Sequence, residues 1–340
     1  MFVWFLYVLM CVVAVTGHQF AVDRGDAEYL YSITTSIDFD QVPQNLTYAH
    51  LIFSANHRVE FSRETLPQQL GGPELVRLRM SVRYVPHRRL PPGLFVNLAG
   101  LRALQLYNND PDSDHFSLGL SEGTFEGLSE IVDLALTRLG IEDLPAGVFR
   151  GLRSICHLDL SQNRLVVIRS DVFQPPPVST LSGSMENHCY RNLTMLLLSK
   201  NRFVDVAHIH LSGLTSLRVV HLDGNAIASL DRDSFGGLSN TSSGGFTNIE
   251  TLDLGHNVID HIGDKTFERL VRLRVLRLDG NTISNVTASA FIGLSFLVGM
   301  DLGGNSMSEL LTGVFAPLTS LRILLFAENA MHTVQTGKLI

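Results

Sequence analysis

Cysteine, tryptophan and charge are all scarce in this chain. Its 340 residues hold three cysteines and one tryptophan, and 17% of them are charged. A net charge of −7 favours solubility and lacks the basic footprint that nucleic-acid binding needs. Catalytic constellations are missing as well: there is no Ser/His/Asp arrangement, no His/Cys set at metal-ligand spacing and no glycine-rich phosphate loop. The expectation is a protein that is not an enzyme and has neither cofactor nor metal. Asp-Gly-Asn at 223–225 and 279–281 has the look of a calcium loop, yet both copies fall at the same place in a turn. Long apolar runs are limited to one, Phe2 to Val15, with no Lys or Arg before it. That run suits the core of a signal peptide and falls short of the ~20 residues of a membrane helix. Residues 1–17 are therefore read as a leader, and the mature chain as secreted or on the extracellular side of the plasma membrane.

What the chain has in abundance is a period. A hydrophobic-x-hydrophobic pair with Asn three residues further on recurs as Leu158-x-Leu160 with Asn163, Val220-x-Leu222 with Asn225 and Leu252-x-Leu254 with Asn257. Leu276-x-Leu278 with Asn281 and Met300-x-Leu302 with Asn305 continue the series, and Asn201 and Asn329 occupy the same place in their units. With the first hydrophobic residue of a unit as position 1, Ile249, Leu273, Leu297 and Leu321 lead units at 24-residue steps. A fixed period in this range signals a solenoid, and the L-x-x-L-x-L-x-x-N core signals leucine-rich repeats. The expected fold is an α/β solenoid, a horseshoe with a parallel concave β-sheet, of about ten 24-residue-type repeats plus a partial one.

The repeat explains its own residues. Positions 4 and 6 point inward from a short strand, and 2, 3, 5, 7 and 8 lie on or beside the solvent face. Asn at position 9 sits where the chain leaves the strand, and a buried amide there can both donate to and accept from neighbouring coils. An aromatic column at position 19 runs through Phe95, Phe125, Phe149, Phe173, Phe235, Phe267, Phe291 and Phe315 and reads as core packing. Earlier leads fall at Leu217, Leu193, Ile155, Ile131, Leu101, Leu75 and Tyr48. Longer steps place insertions near 110–120, 174–192 and 239–248, all rich in turn-forming polar residues or proline. Residues 18–47 are read as an N-terminal cap without cysteines and 48–340 as one continuous solenoid. The last unit stops at Ile340 with Leu339 at the aromatic position, so the chain is expected to be truncated at its C-terminus.

Cys11 leaves with the leader, and Cys156 and Cys189 remain as an even pair in an oxidising compartment. They fall in or just before adjacent strands, so a disulfide is expected. Four Asn-x-Ser/Thr triplets, at Asn45, Asn192, Asn240 and Asn285, are candidate glycosylation sites. None occupies a solvent-facing strand position, so glycans would clothe the rims and back and leave the concave sheet bare.

Irregular landmarks add a resemblance over residues 51–206. Phe61-Ser-Arg-Glu-Thr-Leu66 leads to Leu90-Pro-Pro-Gly-Leu-Phe95-Val-Asn-Leu98 and then Leu104-Gln-Leu-Tyr-Asn-Asn109. An Asp/Ser-rich insertion precedes Phe116-Ser-Leu-Gly-Leu-Ser-Glu-Gly-Thr-Phe125, and a later insertion contains Cys189. In these features the chain resembles the long-ectodomain Toll receptors of arthropods. The resemblance implies a ligand-binding or cell-cell recognition ectodomain whose partner is a cystine-knot cytokine or a cell-surface protein, with a capacity to dimerise. In that family membrane attachment and signalling reside in segments this chain lacks, including the TIR domain. A chaoptin-like adhesion protein and a secreted decoy or matrix protein are the alternatives.

Function is sought on the concave face. Position 5 reads Ile52, Arg79, Gln105, Ala135, Asp159, Leu197, His221, Asp253, Arg277, Asp301 and Leu325; position 7 adds Asp223 and Asp279. The N-terminal third is basic through Arg77, Arg79, Arg83 and Arg102, whereas 221–301 is acidic on balance. His221, Asp223, Asp253, Arg277, Asp279 and Asp301 are the candidate partner-binding residues, projecting to solvent and recognising a protein by complementary charge. His157 beside Asp133, and His221 beside Asp253, are the candidates for titration at endosomal pH.

Overall fold

The computed structural model describes residues 75–82, 88–108, 116–173, 190, 192–211, 213–236, 248–309 and 313–330, and three earlier strands as backbone. The strands, in chain order, are β1 (Phe20–Val22), β2 (Tyr29–Ile33), β3 (Tyr48–Phe53), β4 (Arg77–Ser81), β5 (Ala103–Tyr107), β6 (Asp133–Thr137), β7 (His157–Asp159) and β8 (Met195–Leu197). They continue as β9 (Val219–His221), β10 (Thr251–Asp253), β11 (His261–Ile262), β12 (Val275–Arg277), β13 (Asn285–Val286), β14 (Gly299–Asp301) and β15 (Ile323–Leu325). All but β11 and β13 form one sheet in sequence order; those two pair with each other in a second sheet. Among the described residues only β1 and β2 pair antiparallel. From β2 onward each strand lies parallel to the next, and from β9 the register matches repeat positions: Asp253 opposes Arg277, which opposes Asp301.

A short strand suffices because each coil buries the same few side chains. Leu252 and Leu254, and Leu276 and Leu278, are fully buried at positions 4 and 6. The aromatic column stacks, with centroids 6.2 Å apart for Phe95–Phe125 and 5.8 Å for Phe291–Phe315. It is interrupted after Phe173, because the unit led by Leu193 carries Leu211 at that position. There Tyr190 meets Phe173 edge-on at 5.5 Å and is itself buried. A residue placed in an insertion by its sequence thus completes the core. The return segments are turns with a short 3-10 element, Val206–His208, whose N-cap Asp205 accepts from the Ala207 N–H at 2.8 Å.

The asparagines join coil to coil. Asn281 accepts from the Ile259 N–H at 3.1 Å and donates to the carbonyls of Leu254 and Leu278 at 3.0 and 2.9 Å. Asn163, Asn201, Asn225, Asn257, Asn305 and Asn329 repeat that pattern, each holding a backbone N–H and carbonyl of the preceding coil plus a carbonyl of its own. The residue before each of these asparagines is left-handed: Gln162, Lys200 and His256 have φ of 59°, 55° and 53°, and Gly224, Gly280 and Gly304 lie at 68°, 65° and 63°. This is why glycine alternates with larger residues at position 8. A Cβ on Gly280 would also sit 2.4 Å from Nδ1 of His256.

The leader, Asn45, Arg83, the insertions at 109–115, 174–189 and 237–247 with Cys189 and Asn240, and Leu339 lie outside the described residues.

Candidate functional site

The concave face is built by positions 3, 5 and 7, whose side chains leave the strands opposite the core. Arg277 organises its acidic half. Its Nε and Nη2 donate to the two carboxylate oxygens of Asp279, both at 3.1 Å, and Nη1 lies 3.3 Å from Oδ2 of Asp253. His256 Nε2 is 3.6 Å from Asp279 on the next coil. Ser199 donates to Asp223 Oδ1 at 2.5 Å. Oδ1 of Asp253 accepts from the Gly255 N–H at 3.0 Å, and Asp159 and Asp301 hold the position-7 N–H of their own coils in the same way. Aspartate at position 5 therefore also closes the turn that leaves the strand.

The structure brings the six predicted residues together but corrects their exposure. Asp253 does not project to solvent: it is 5% exposed, whereas Arg277 is exposed and His221, Asp223, Asp279 and Asp301 are half-buried. Sequence columns assign a face, not a depth. At Asp253 the turn hydrogen bond folds the carboxylate against the sheet while Arg277 lies beside it. Burial is the main reason its carboxyl is pushed above the usual aspartate range, with Asp223 adding to the effect. The Gly255 N–H, Arg277 and His221 act in the opposite direction. Arg277 is held further toward its charged form, chiefly by its hydrogen bond with Asp279.

Toward the N-terminus, the Arg79 guanidinium lies over the Tyr107 ring at 4.6 Å, so one predicted cation is half-buried and stacked. Arg77 and Arg102 are exposed. His157 Nδ1 and Asp133 Oδ1 meet across adjacent strands at 2.6 Å. An apolar stripe beside the acidic column went unread in the sequence. Val275 and Ile323 at position 3 and Leu325 at position 5 are 38%, 55% and 53% exposed on this face, and half-buried Met195 and Val219 stand further along the position-3 column, with Thr251 and Gly299 interrupting it. The signal for all but Leu325 is the position-3 column itself, Met195, Val219, Val275 and Ile323.

Of the predicted modification sites, Asn192 and Asn285 are exposed and stand off the concave columns, Asn285 in the second sheet. The Cys156 Sγ lies 3.5 Å from the Ser154 carbonyl, and burial with nearby Asp133 pushes its pKa up. Its expected partner Cys189 is outside the described residues. Among the described residues no helix is long and apolar enough to cross a membrane. One group there brings three possible metal-ligating atoms near one another: donor atoms of His221, Asp223 and Asp253 all lie within 4.8 Å.

Repeating parallel strands, inter-coil asparagines and a side-chain-rich concave sheet define a leucine-rich-repeat solenoid. Residues 191–243, 239–283 and 272–331 match the leucine rich repeat family. Mouse (Mus musculus) podocan is 32% identical over 193 residues, 56% of this chain and 26% of podocan. Zebrafish (Danio rerio) keratocan is 27% identical over 237 residues, 64% of this chain and 55% of keratocan. The chain thus spans about a quarter and about half of these two relatives. In fold it resembles the Toll–Spatzle complex structure described as a hub in Drosophila development and innate immunity. That match has a TM-score of 0.57 at 15% identity and covers 89% of this chain and 43% of that one.

Proposed function

We propose that this chain is the ligand-binding or cell-cell recognition ectodomain of a Toll-type cell-surface receptor, and that it engages a protein partner through the concave face between β9 and β15. The observation that carries the reading is the juxtaposition of an acidic column with the exposed aliphatic side chains of Val275, Ile323 and Leu325 on one sheet face. Charged groups give steering and register, and desolvated aliphatic area gives affinity. The exposed asparagines of the described sequons stand elsewhere, so glycans on them leave that face open. The solved Toll–Spatzle complex is a precedent for a protein ligand on a similar solenoid. A second reading, a secreted matrix or adhesion protein, draws on the similarity to podocan and keratocan. Both readings place the chain outside the cell and use the same face.

A glycan placed on that face is the test. Gly299 has open space where a Cβ would stand, and no left-handed backbone, so Gly299→Asn with Asp301→Thr installs a sequon on β14, within the acidic stretch of the sheet, at the cost of the Asp301 hydrogen bond from the Gly303 N–H. The doubly substituted protein is expected to be secreted normally, to gain a glycosidase-sensitive mass and to lose binding to partner-bearing cells. Gly299→Asn alone, which creates no sequon because Met300 is followed by Asp301, should retain most binding. Full binding by the glycosylated variant would move the partner to a rim or the back.

An oxidising setting also predicts the Cys156–Cys189 disulfide, tying the 174–192 insertion to the sheet. Closure of such a loop stabilises by roughly 3–4 kcal/mol in the chain-entropy model. Non-reducing digestion of secreted protein should yield the linked peptides by mass spectrometry. Recovery of two alkylatable thiols from folded material would refute the pairing.

A further inference from the structure

We propose that His221, Asp223 and Asp253 form a binding site for a zinc-type divalent ion on the concave face. The location is that of the recognition surface proposed above, but the argument is the donor set. One imidazole and two carboxylates come from two neighbouring coils: His221 ends β9 and directly opposes Asp253 in β10, while Asp223 follows two residues after His221. Their donor atoms lie within 4.8 Å of one another. Across a tetrahedral zinc with bonds of about 2.0–2.2 Å, two donors stand roughly 3.4 Å apart. Closing that difference takes side-chain rotation, with the backbone left in register.

Imidazole in the set selects against calcium and magnesium, which take oxygen ligands, and toward zinc and its neighbours. Charge points the same way. Asp223, Asp253 and Asp279 bring three carboxylates against the one guanidinium of Arg277, an excess of acidic groups that a divalent cation offsets. Arg277 gives two hydrogen bonds to Asp279 and reaches Asp253 only at one corner, on Oδ2. The Asp253 side chain is 7% exposed, so a cation held there would sit against a carboxylate largely shielded from water. Three protein ligands leave a fourth position toward the solvent side of the sheet, for water or for a donor on the bound partner.

The test uses the untagged secreted protein stripped with chelator and titrated with Zn²⁺ by calorimetry, with Co²⁺ absorption as a report on coordination. One equivalent is expected to bind at micromolar affinity and to raise the thermal midpoint. His221→Ala and Asp253→Asn should each weaken it by about tenfold or more. His157→Ala, whose imidazole sits with Asp133 on other coils, should leave it unchanged. Loss of binding equal in His157→Ala, or wild-type affinity no better than millimolar, would overturn the site. The titration contains no partner. A partner that still binds in chelator, and is still lost on glycan insertion, would leave the recognition reading standing without the metal.

Discussion

Asn257→Ala and Asn281→Ala are each expected to destabilise the solenoid by about 1–3 kcal/mol, whereas Asn285→Ala should cost little beyond its glycan. At 6% exposed, Asn281 serves three backbone groups on two coils. Alanine there leaves the Ile259 N–H and the carbonyls of Leu254 and Leu278 without this partner in a space that the neighbouring leucines keep apolar. Asn257 does the same for Ile227, Leu222 and Leu254. Because each amide spans a coil boundary, the loss falls on the nearest-neighbour coupling that holds a solenoid together. Asn285 is exposed and has no such duty. Denaturant midpoints of the three secreted, deglycosylated variants check this. Equal midpoints would mean that the ladder bonds do not carry coil-to-coil coupling.

The second large effect concerns charge. Neutralising Asp253, Asp279 and Asp301 together should slow partner association by about tenfold and flatten its salt dependence, since steering scales with the potential over the face. Neutral replacements are required by the burial of Asp253: a lysine there would force a cation against Arg277, whose Nη1 already lies 3.3 Å from that carboxylate. Asparagine keeps the oxygen that accepts from Gly255 and from Gly303. Loss of binding then reports charge, and not an unfolded turn.

Strand positions and the asparagine ladder were legible because a strict period makes every coil repeat one burial problem. Leu252, Leu276 and Met300 face inward at position 4 for one reason, and Phe267, Phe291 and Phe315 stack for another. What broke the period was not legible. Tyr190 enters the core from an insertion whose length has no counterpart in the other coils. The left-handed turn at position 8 hid behind chemically unrelated residues, Gln162, Lys200 and His256, with only the interspersed glycines as a signal. On the concave face the register placed these residues in their columns, but depth depends on what each neighbour's side chain does. Asp253 is covered and Arg277 exposed although both stand at position 5. Stacking of Arg79 on Tyr107 likewise joins positions 5 and 7 of different coils, a diagonal that a column list does not show.

The most direct measurement is the association rate of the Asp253→Asn, Asp279→Asn, Asp301→Asn protein with partner-bearing cells, taken in chelator at several salt concentrations. Glu268→Gln serves as the control: it is paired with Arg232 at 3.2 Å on the return side of its coil, away from the sheet. The concave-face account predicts normal secretion of both proteins, a slower and less salt-sensitive association for the triple variant, and wild-type behaviour for the control. A triple variant that associates at the wild-type rate with the wild-type salt dependence would contradict it.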